Sequence, residues 1–260
     1  MLRNAGFRTF FKTSVTGDDV RFVGYSFVDD TDLVQTAQGE HKSAASVMEK
    51  MQDAVNLWEG GIRATGGAIA TDKSYWYPIH FIWKAGKWRL ANAAESPYTL
   101  SVLNHNGNRI VLDKLGPNDT KETLGAYVAP SGTMEGELAQ LVLASKKWAD
   151  QIRVGKLGKL DAGVALRTTI WKTLEYPLPA MTFTYKQCEV IMRPALTAGL
   201  NAMGLSKTFP RAVVFGPKRF QGMAIPHLYT TMCIAHLQDV VTHCHRMTIT
   251  GHFSELVLSC

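Results

Sequence analysis

The architecture is best understood from one stretch, residues 21–34, which reads RFVGYSFVDDTDLV. An apolar, aromatic-rich run leads to two adjacent aspartates, Asp29 and Asp30, and a second apolar run leads away from them. Alternation and β-branched residues on both sides predict a strand, a tight turn and a second strand. Because successive strand residues point to opposite faces, only one of the two aspartates can point squarely into a given cleft. A carboxylate on a rigid hairpin suits Mg²⁺, which binds one or two carboxylates plus substrate phosphates.

Phe27, followed by Val28 and the aspartate pair, resembles the palm hairpin of reverse transcriptases. The extension through Leu33 is most similar to the non-LTR retrotransposon type. The competing interpretation is a solvated acidic turn, since short motifs give many false matches. A second acidic triplet, Gly17-Asp18-Asp19, is interpreted as a hairpin turn because the strand leading to it is poorer. The order of the motifs after Asp30 favours the reverse transcriptase resemblance.

The composition is that of a globular protein: 260 residues, 46% hydrophobic and 19% charged. The net charge of +6 suits a polyanionic partner. No apolar run approaches the roughly 18 residues that span a membrane, so we expect no membrane partner. The cysteines form no CxxC pair, which indicates a reducing, intracellular compartment, with the nucleus as an option. They are Cys188, Cys233, Cys244 and Cys260.

Residues 42–59 carry apolar side chains at three- and four-residue steps, which predicts an amphipathic helix that Gly60 and Gly61 end. Residues 66–74, GGAIATDKS, follow it. In the resembled family, a glycine, a short apolar stretch, an asparagine and Lys-Ser or Lys-Thr follow the palm helix. Lys73 therefore corresponds to a lysine near the departing pyrophosphate, where it would offset negative charge or donate a proton. Ala70 departs from the family's asparagine, and an exposed loop lysine is an equally good interpretation of Lys73.

Residues 74–90 are the segment richest in aromatic side chains. Residues 83–88, WKAGKW, predict a hairpin turn with a tryptophan at each foot, and paired aromatics stabilise such hairpins. The resembled family places a hairpin here that grips the primer strand. Bases would stack on the aromatic rings and phosphates would pair with the cations. The resemblance thus assigns nucleic-acid binding to Phe27, Trp83, Lys84, Lys87, Trp88 and Arg89. A second hairpin with an Asn-Gly turn is predicted over residues 100–112.

The composition shifts to Gly, Pro, Asn and Asp near residue 115, which predicts a domain boundary. Residues 123–132 resemble the Leu-Gly strand that follows the palm in non-LTR elements. Helices are predicted over residues 134–152, 160–174, 185–203 and 226–246. Between the last two, residues 215–223 resemble the Gly-Pro…Gly-Gly segment of the same family, with Met223 in place of the last glycine. The prediction is an α+β fold, with a partial palm over residues 1–115 and a helical thumb over 116–260.

The resemblance implies RNA-directed DNA polymerase activity by a two-metal mechanism. Asp29 is the first choice of metal ligand, with Asp30 adjacent or supporting, and Mg²⁺ is the expected ion, with Mn²⁺ as an alternative. The implied partners are an RNA template, a DNA primer or duplex and dNTPs. Family palms also supply an aspartate from an upstream strand, and only 28 residues precede Asp29. We therefore expect a C-terminal fragment that needs an N-terminal fingers and palm segment for activity.

Two other functions remain open at this level. The first is a non-catalytic nucleic-acid-binding module that keeps the aromatic hairpin and the basic helices, whose cations would contact a duplex backbone. The second is a metal-dependent nuclease that uses Asp29, Asp30 and Asp32. The candidate cations of the helical part are Lys146, Lys147, Arg153, Lys156, Lys159, Arg167 and Lys172.

Overall fold

A computed structural model describes residues 1–2, 4–7, 9–12, 19–27, 30–37, 43–243, 246 and 251, with the backbone alone for residues 11, 12, 19, 20 and 27. These residues divide into two compact units. The first comprises the described residues of 1–119 and 243–260, and the second comprises residues 120–242. The fold is mixed α+β, with small antiparallel hairpins and a mostly helical C-terminal part, as predicted.

The first unit is built from ten short strands and one long helix among its described residues. Four strand pairs are antiparallel and sequential, and one pair, Tyr75–Trp76 with Asp113–Lys114, is parallel. The elements are β1 (Thr9–Lys12), β2 (Asp19–Phe22), β3 (Gly24–Phe27), β4 (Asp30–Leu33), α1 (Ala44–Ala64), β5 (Tyr75–Trp76), β6 (Phe81–Lys84), β7 (Lys87–Leu90), β8 (Ser101–Leu103), β9 (Arg109–Val111) and β10 (Asp113–Lys114).

Helix α1 is longer than the sequence predicts. Ser43 caps its start by accepting a hydrogen bond from the Ser46 backbone. The helix then continues through Gly60 and Gly61 to Ala64, so the predicted stop at those glycines is wrong. The physical reason is that Glu59 and Arg63, which lie on either side of the two glycines, form an ion pair that stabilises this turn of the helix. The turn that closes the helix comes only after Ala64, where Gly66 has a positive φ.

Side chains of α1 and several strands form the core of the first unit. Val55 of α1 packs with Trp76, Leu100, Val102 and Leu112, all of them buried. Leu33, at the end of β4, packs against the same cluster from the side of the acidic hairpin. The Gln52 side chain also bonds the backbone of Ser101 in β8, through its amide oxygen and nitrogen. The hairpin β3–β4 is therefore anchored at its base to the α1 core.

The second unit has one hairpin and six α-helices in its described residues. The hairpin turn carries positive φ angles at Leu124 and Gly125, the geometry that favours a tight two-residue hairpin. Leu166–Ile170 forms a π-helical turn that joins the helices Lys159–Ala165 and Trp171–Glu175. The elements are β11 (Lys121–Thr123), β12 (Ala126–Val128), α2 (Glu135–Gly155), α3 (Lys159–Ala165), α4 (Trp171–Glu175), α5 (Tyr185–Ala202), α6 (Arg211–Phe215) and α7 (Leu228–His243).

Helix α5 is the centre of the second unit. Thr184 and Gln187 form a capping box at its start, and Pro194 lies inside it. Its neighbour α2 supplies the buried Ser145, whose hydroxyl accepts a hydrogen bond from the Ala195 backbone at 3.2 Å. Trp171 of α4 is fully buried and donates its indole N–H to the Pro226 carbonyl at 2.6 Å. No helix in the described part of the chain has the length and apolar character to cross a bilayer.

Candidate active site

The hairpin β3–β4 presents its acidic residues on one face. Phe27 pairs with Asp30 and Tyr25 pairs with Asp32 across the two strands. Directly opposite residues of an antiparallel pair share a face, and so do residues two apart on one strand. Asp30 and Asp32 therefore point to the same side of the hairpin, and Asp30 is exposed at its closing end.

Part of the predicted site lies outside the described residues. Asp29, the first choice of metal ligand, is one of these residues, as are Val28 and the predicted turn residues Gly17 and Asp18. For Phe27 the backbone alone is described. The roles of Asp29 and of the Phe27 side chain stay predictions.

Asp32 lies beside a tyrosine cluster, formed by Tyr25, Tyr75 and Tyr77. Burial, a hydrogen bond to Asp32 and the negative charge of Asp32 raise the pKa of Tyr25 to about 12. Burial, and then the neighbouring Tyr75, Asp119 and Asp32, raise the pKa of Tyr77 to about 12. The Tyr75 and Tyr77 rings meet edge to face, with centroids 5.6 Å apart. The Asp32 carboxylate is thus held by the protein, whereas the Asp30 carboxylate faces solvent.

The tyrosine cluster was not predicted from the sequence. Tyr25 and Asp32 lie at equal distances from the turn, so a two-residue hairpin register would have paired them. The contribution of Tyr75 and Tyr77 depends on how their strand packs, which no local pattern contains. The Tyr77 hydroxyl also donates to the Asp119 carbonyl at 3.0 Å, across 42 residues of sequence.

The described part of the predicted metal site offers one exposed carboxylate, that of Asp30. Mg²⁺ needs one or two carboxylates, with substrate phosphates and water for the other positions, and an exposed aspartate at a hairpin end can serve it. The described residues contain no group of three or more His, Cys, Asp or Glu side chains that could hold a metal ion.

Lys73 lies in an exposed turn that follows α1. Its backbone N–H donates to the Ala70 carbonyl at 3.1 Å, and the Ser74 hydroxyl donates to the same oxygen at 2.9 Å. Ala70 therefore organises this turn through its backbone. No ion pair of Lys73 is found in the described part of the chain. Both interpretations of Lys73 remain open.

The hairpin β6–β7 separates its aromatic and basic side chains onto opposite faces. Trp83 pairs with Trp88, and their rings meet edge to face with centroids 5.3 Å apart. Phe81 lies on the same face by alternation. Lys84 and Lys87 pair beside the turn on the other face. The three rings are exposed by 60% to 66%, an unusual amount of aromatic surface on one small hairpin.

Arg89, a predicted nucleic-acid contact, is engaged by the protein. Its guanidinium bonds both oxygens of Glu95, at 2.8 and 2.5 Å, and Glu95 also accepts from the Asn92 backbone. The hydrogen bonds from Arg89 and Asn92 lower the pKa of Glu95 to about 2, and the same pair raises the pKa of Arg89. The charge of Arg89 is therefore matched by a carboxylate of the short helical turn that follows β7, while Lys84 and Lys87 are exposed.

The predicted cations of the helical unit also differ in their partners. Arg153 pairs with Asp150 and Lys172 pairs with Glu175, each three residues apart on one helix. Arg167 donates to the carbonyl of Gly163. Among the described residues, no ion pair forms with the remaining four candidates, which are exposed: Lys146, Lys147, Lys156 and Lys159.

Comparisons of the chain with models of protein families, with curated proteins and with solved structures give no significant match.

Proposed function

We propose that the chain is the palm and thumb portion of a retrotransposon reverse transcriptase, an RNA-directed DNA polymerase. The observation that carries the proposal is the hairpin β3–β4. It presents an exposed Asp30 at its closing end and is anchored by Leu33 to the helix that follows. The exposed aromatic hairpin that comes later in the chain supports a nucleic-acid partner.

In this proposal Asp29 and Asp30 hold the divalent cation. When bound, the cation activates the primer 3′-hydroxyl and neutralises the triphosphate and leaving group. Asp32 interacts with Tyr25 on the opposite strand, and this contact fixes the pairing of the two strands beside the metal site. Lys73 offsets the negative charge of the departing pyrophosphate. The primer strand contacts the aromatic face of β6–β7, where its bases stack on the exposed rings. Lys84 and Lys87, on the other face beside the turn, add positive charge that attracts its phosphates.

The proposal includes a requirement for an upstream fingers and palm segment, which supplies a further carboxylate and the nucleotide pocket. Primer extension on an RNA template, with Mg²⁺ and dNTPs, tests it. We expect extension when the chain is joined to an upstream reverse transcriptase segment, and loss of extension in Asp29→Asn and Asp30→Asn. Glu49→Gln, which removes an exposed carboxylate from α1 and keeps the side-chain length, is the matched control.

The second candidate is a nucleic-acid-binding module without catalysis. The exposure of Phe81, Trp83 and Trp88 favours it, because three solvent-facing rings provide a stacking platform that needs no metal. Binding of an oligonucleotide by the chain that persists in Asp30→Asn, together with no extension by any form of the protein, would establish this candidate.

A further inference from the structure

The loop of residues 216–222, GPKRFQG, is closed tightly against its own ends. A Cβ on Gly222 would overlap the carbonyl group of Gly216, so this close approach requires glycine. The Pro217 carbonyl accepts from the Phe220 and Gly222 backbones, at 3.0 and 3.1 Å. The Ala224 backbone donates back to Gly216 at 2.9 Å. These contacts fix the loop as a rigid projection of the second unit.

The side chains between the two glycines point into solvent. Phe220 is 72% exposed, which is far from the burial usual for a phenylalanine. The Arg219 guanidinium lies over its ring, 4.8 Å from the centroid. Lys218 is also exposed. In the described part of the chain, neither cation forms an ion pair.

The surrounding sequence has a marked charge bias. From Val190 to Gln238 the chain contains no Asp or Glu and has five cations. Two of these cations, Lys207 and Arg211, lie just before the loop, and both are exposed. Arg211 is the first residue of helix α6. A local excess of positive charge without carboxylates attracts a polyanion. The five are Arg193, Lys207, Arg211, Lys218 and Arg219.

We propose that the 216–222 loop binds single-stranded nucleic acid. An unpaired base stacks on the Phe220 ring, and Lys218 and Arg219 pair with the adjacent phosphates. The exposed ring selects nucleic acid among polyanions, because stacking needs a flat π-surface on the ligand. It selects unpaired strands because the faces of bases inside a duplex are already covered by their neighbours. The inference rests on the proposed function only in taking nucleic acid as the partner.

The test measures the affinity of the 260-residue chain for a fluorescent oligo(U) or oligo(dT) strand, and for a duplex, by fluorescence anisotropy. Phe220→Leu keeps the apolar bulk and removes the ring, and we expect about tenfold weaker binding of the single strand. Phe220→Trp should keep wild-type affinity. Lys218→Ala and Arg219→Ala should each reduce the slope of log K against log salt by about 0.7. Lys186→Ala, at an exposed cation of α5, should affect binding less.

Wild-type affinity of Phe220→Leu for the single strand would overturn the inference, and so would an equal loss for single strand and duplex. Failure of the wild-type chain to bind single strands would overturn it as well. The proposed function fails separately, in the primer-extension assay. If extension fails while Phe220→Leu still weakens single-strand binding, the inference stands without the polymerase.

Discussion

Tyr25 and Asp32 lie directly opposite each other in the hairpin β3–β4, and the Asp32 carboxylate helps burial to raise the pKa of the Tyr25 hydroxyl to about 12. This pair connects the acidic face of the hairpin to the tyrosine cluster. The remaining carboxylate of that face, Asp30, is exposed. One aspartate is therefore held in place by the fold, and the other is available to a ligand.

The tyrosine cluster predicts a loss of stability at alkaline pH. The pKa values of Tyr25 and Tyr77 in the folded chain, about 12, lie above the ordinary value of 10.0. The folded state therefore holds these protons more tightly than the unfolded state does. The stabilisation is fully present below about pH 10 and is lost as the pH rises towards 12. Urea unfolding of the wild-type chain should show this loss, and Tyr25→Phe should show a smaller one.

Tyr98→Phe is the control for this comparison, because Tyr98 belongs to the same unit and lies outside the cluster. It should retain the full alkaline loss. An alkaline loss of the same size in Tyr25→Phe and in the wild-type chain would contradict the assignment of the loss to Tyr25.

The Arg89–Glu95 pair predicts that one substitution can strengthen nucleic-acid binding. Glu95→Gln keeps an oxygen for the Asn92 backbone and frees the charge of Arg89. In the proposed function, affinity for an oligonucleotide at low salt should rise by a few fold, and the salt slope should steepen by about 0.7. Anisotropy titrations over a range of salt concentrations measure both quantities at neutral pH, where the Glu95 carboxyl, with its pKa of about 2, is ionised.

Glu49→Gln removes the same charge from an exposed position of α1 and is the matched control. If both variants change affinity and salt slope equally, the change in net charge explains the result. That outcome would contradict the claim that Glu95 neutralises Arg89 and keeps it from nucleic acid.

Glu137 predicts a second pH effect, in the helical unit. The buried carboxylate, in the first turn of α2, accepts a hydrogen bond from the Tyr127 backbone at 2.6 Å. Burial raises the pKa of Glu137, and the hydrogen bond only partly opposes this rise. The folded state therefore favours the neutral acid, and its stabilising contribution is lost as the pH rises through the folded-state pKa.

Two substitutions at Glu137 separate the charge from the hydrogen bond. Glu137→Gln keeps an acceptor for Tyr127 and should be at least as stable as the wild-type chain at neutral pH. Glu137→Ala leaves the Tyr127 N–H without its acceptor and should cost about 1–3 kcal/mol of unfolding free energy. Urea unfolding at mildly acidic and neutral pH measures both. Greater stability of the alanine variant than of the glutamine variant at neutral pH would contradict this role.

Much of the architecture could be predicted from local patterns. The turn at Ala85 and Gly86 has two positive φ angles, and the flanking tryptophans pair as the sequence indicates. The helices follow from apolar periodicity, and helix α5 starts at its Thr184 capping box. The end of α1 was predicted too early, because two consecutive glycines weaken a helix without ending it when an ion pair crosses them.

The features that the sequence did not reveal are those made by side chains meeting across the fold. The tyrosine cluster joins β3–β4 to residues about 50 positions later, and the faces of β6–β7 became known only from its register. The Arg89–Glu95 pair depends on a short helical turn after β7 that no pattern had indicated. Such contacts depend on packing, and packing is not encoded in any single window of sequence.

The central claim is that Asp30 belongs to the catalytic metal site and that Asp32 supports the hairpin beside it. The most direct test compares the primer-extension rates of Asp30→Asn and Asp32→Asn over a range of Mg²⁺ concentrations, in the chain joined to an upstream reverse transcriptase segment. The proposal predicts that Asp30→Asn loses about 100-fold or more of the rate, and that Asp32→Asn loses less than about tenfold. Extension by Asp30→Asn at the wild-type rate, with the wild-type Mg²⁺ dependence, would contradict it.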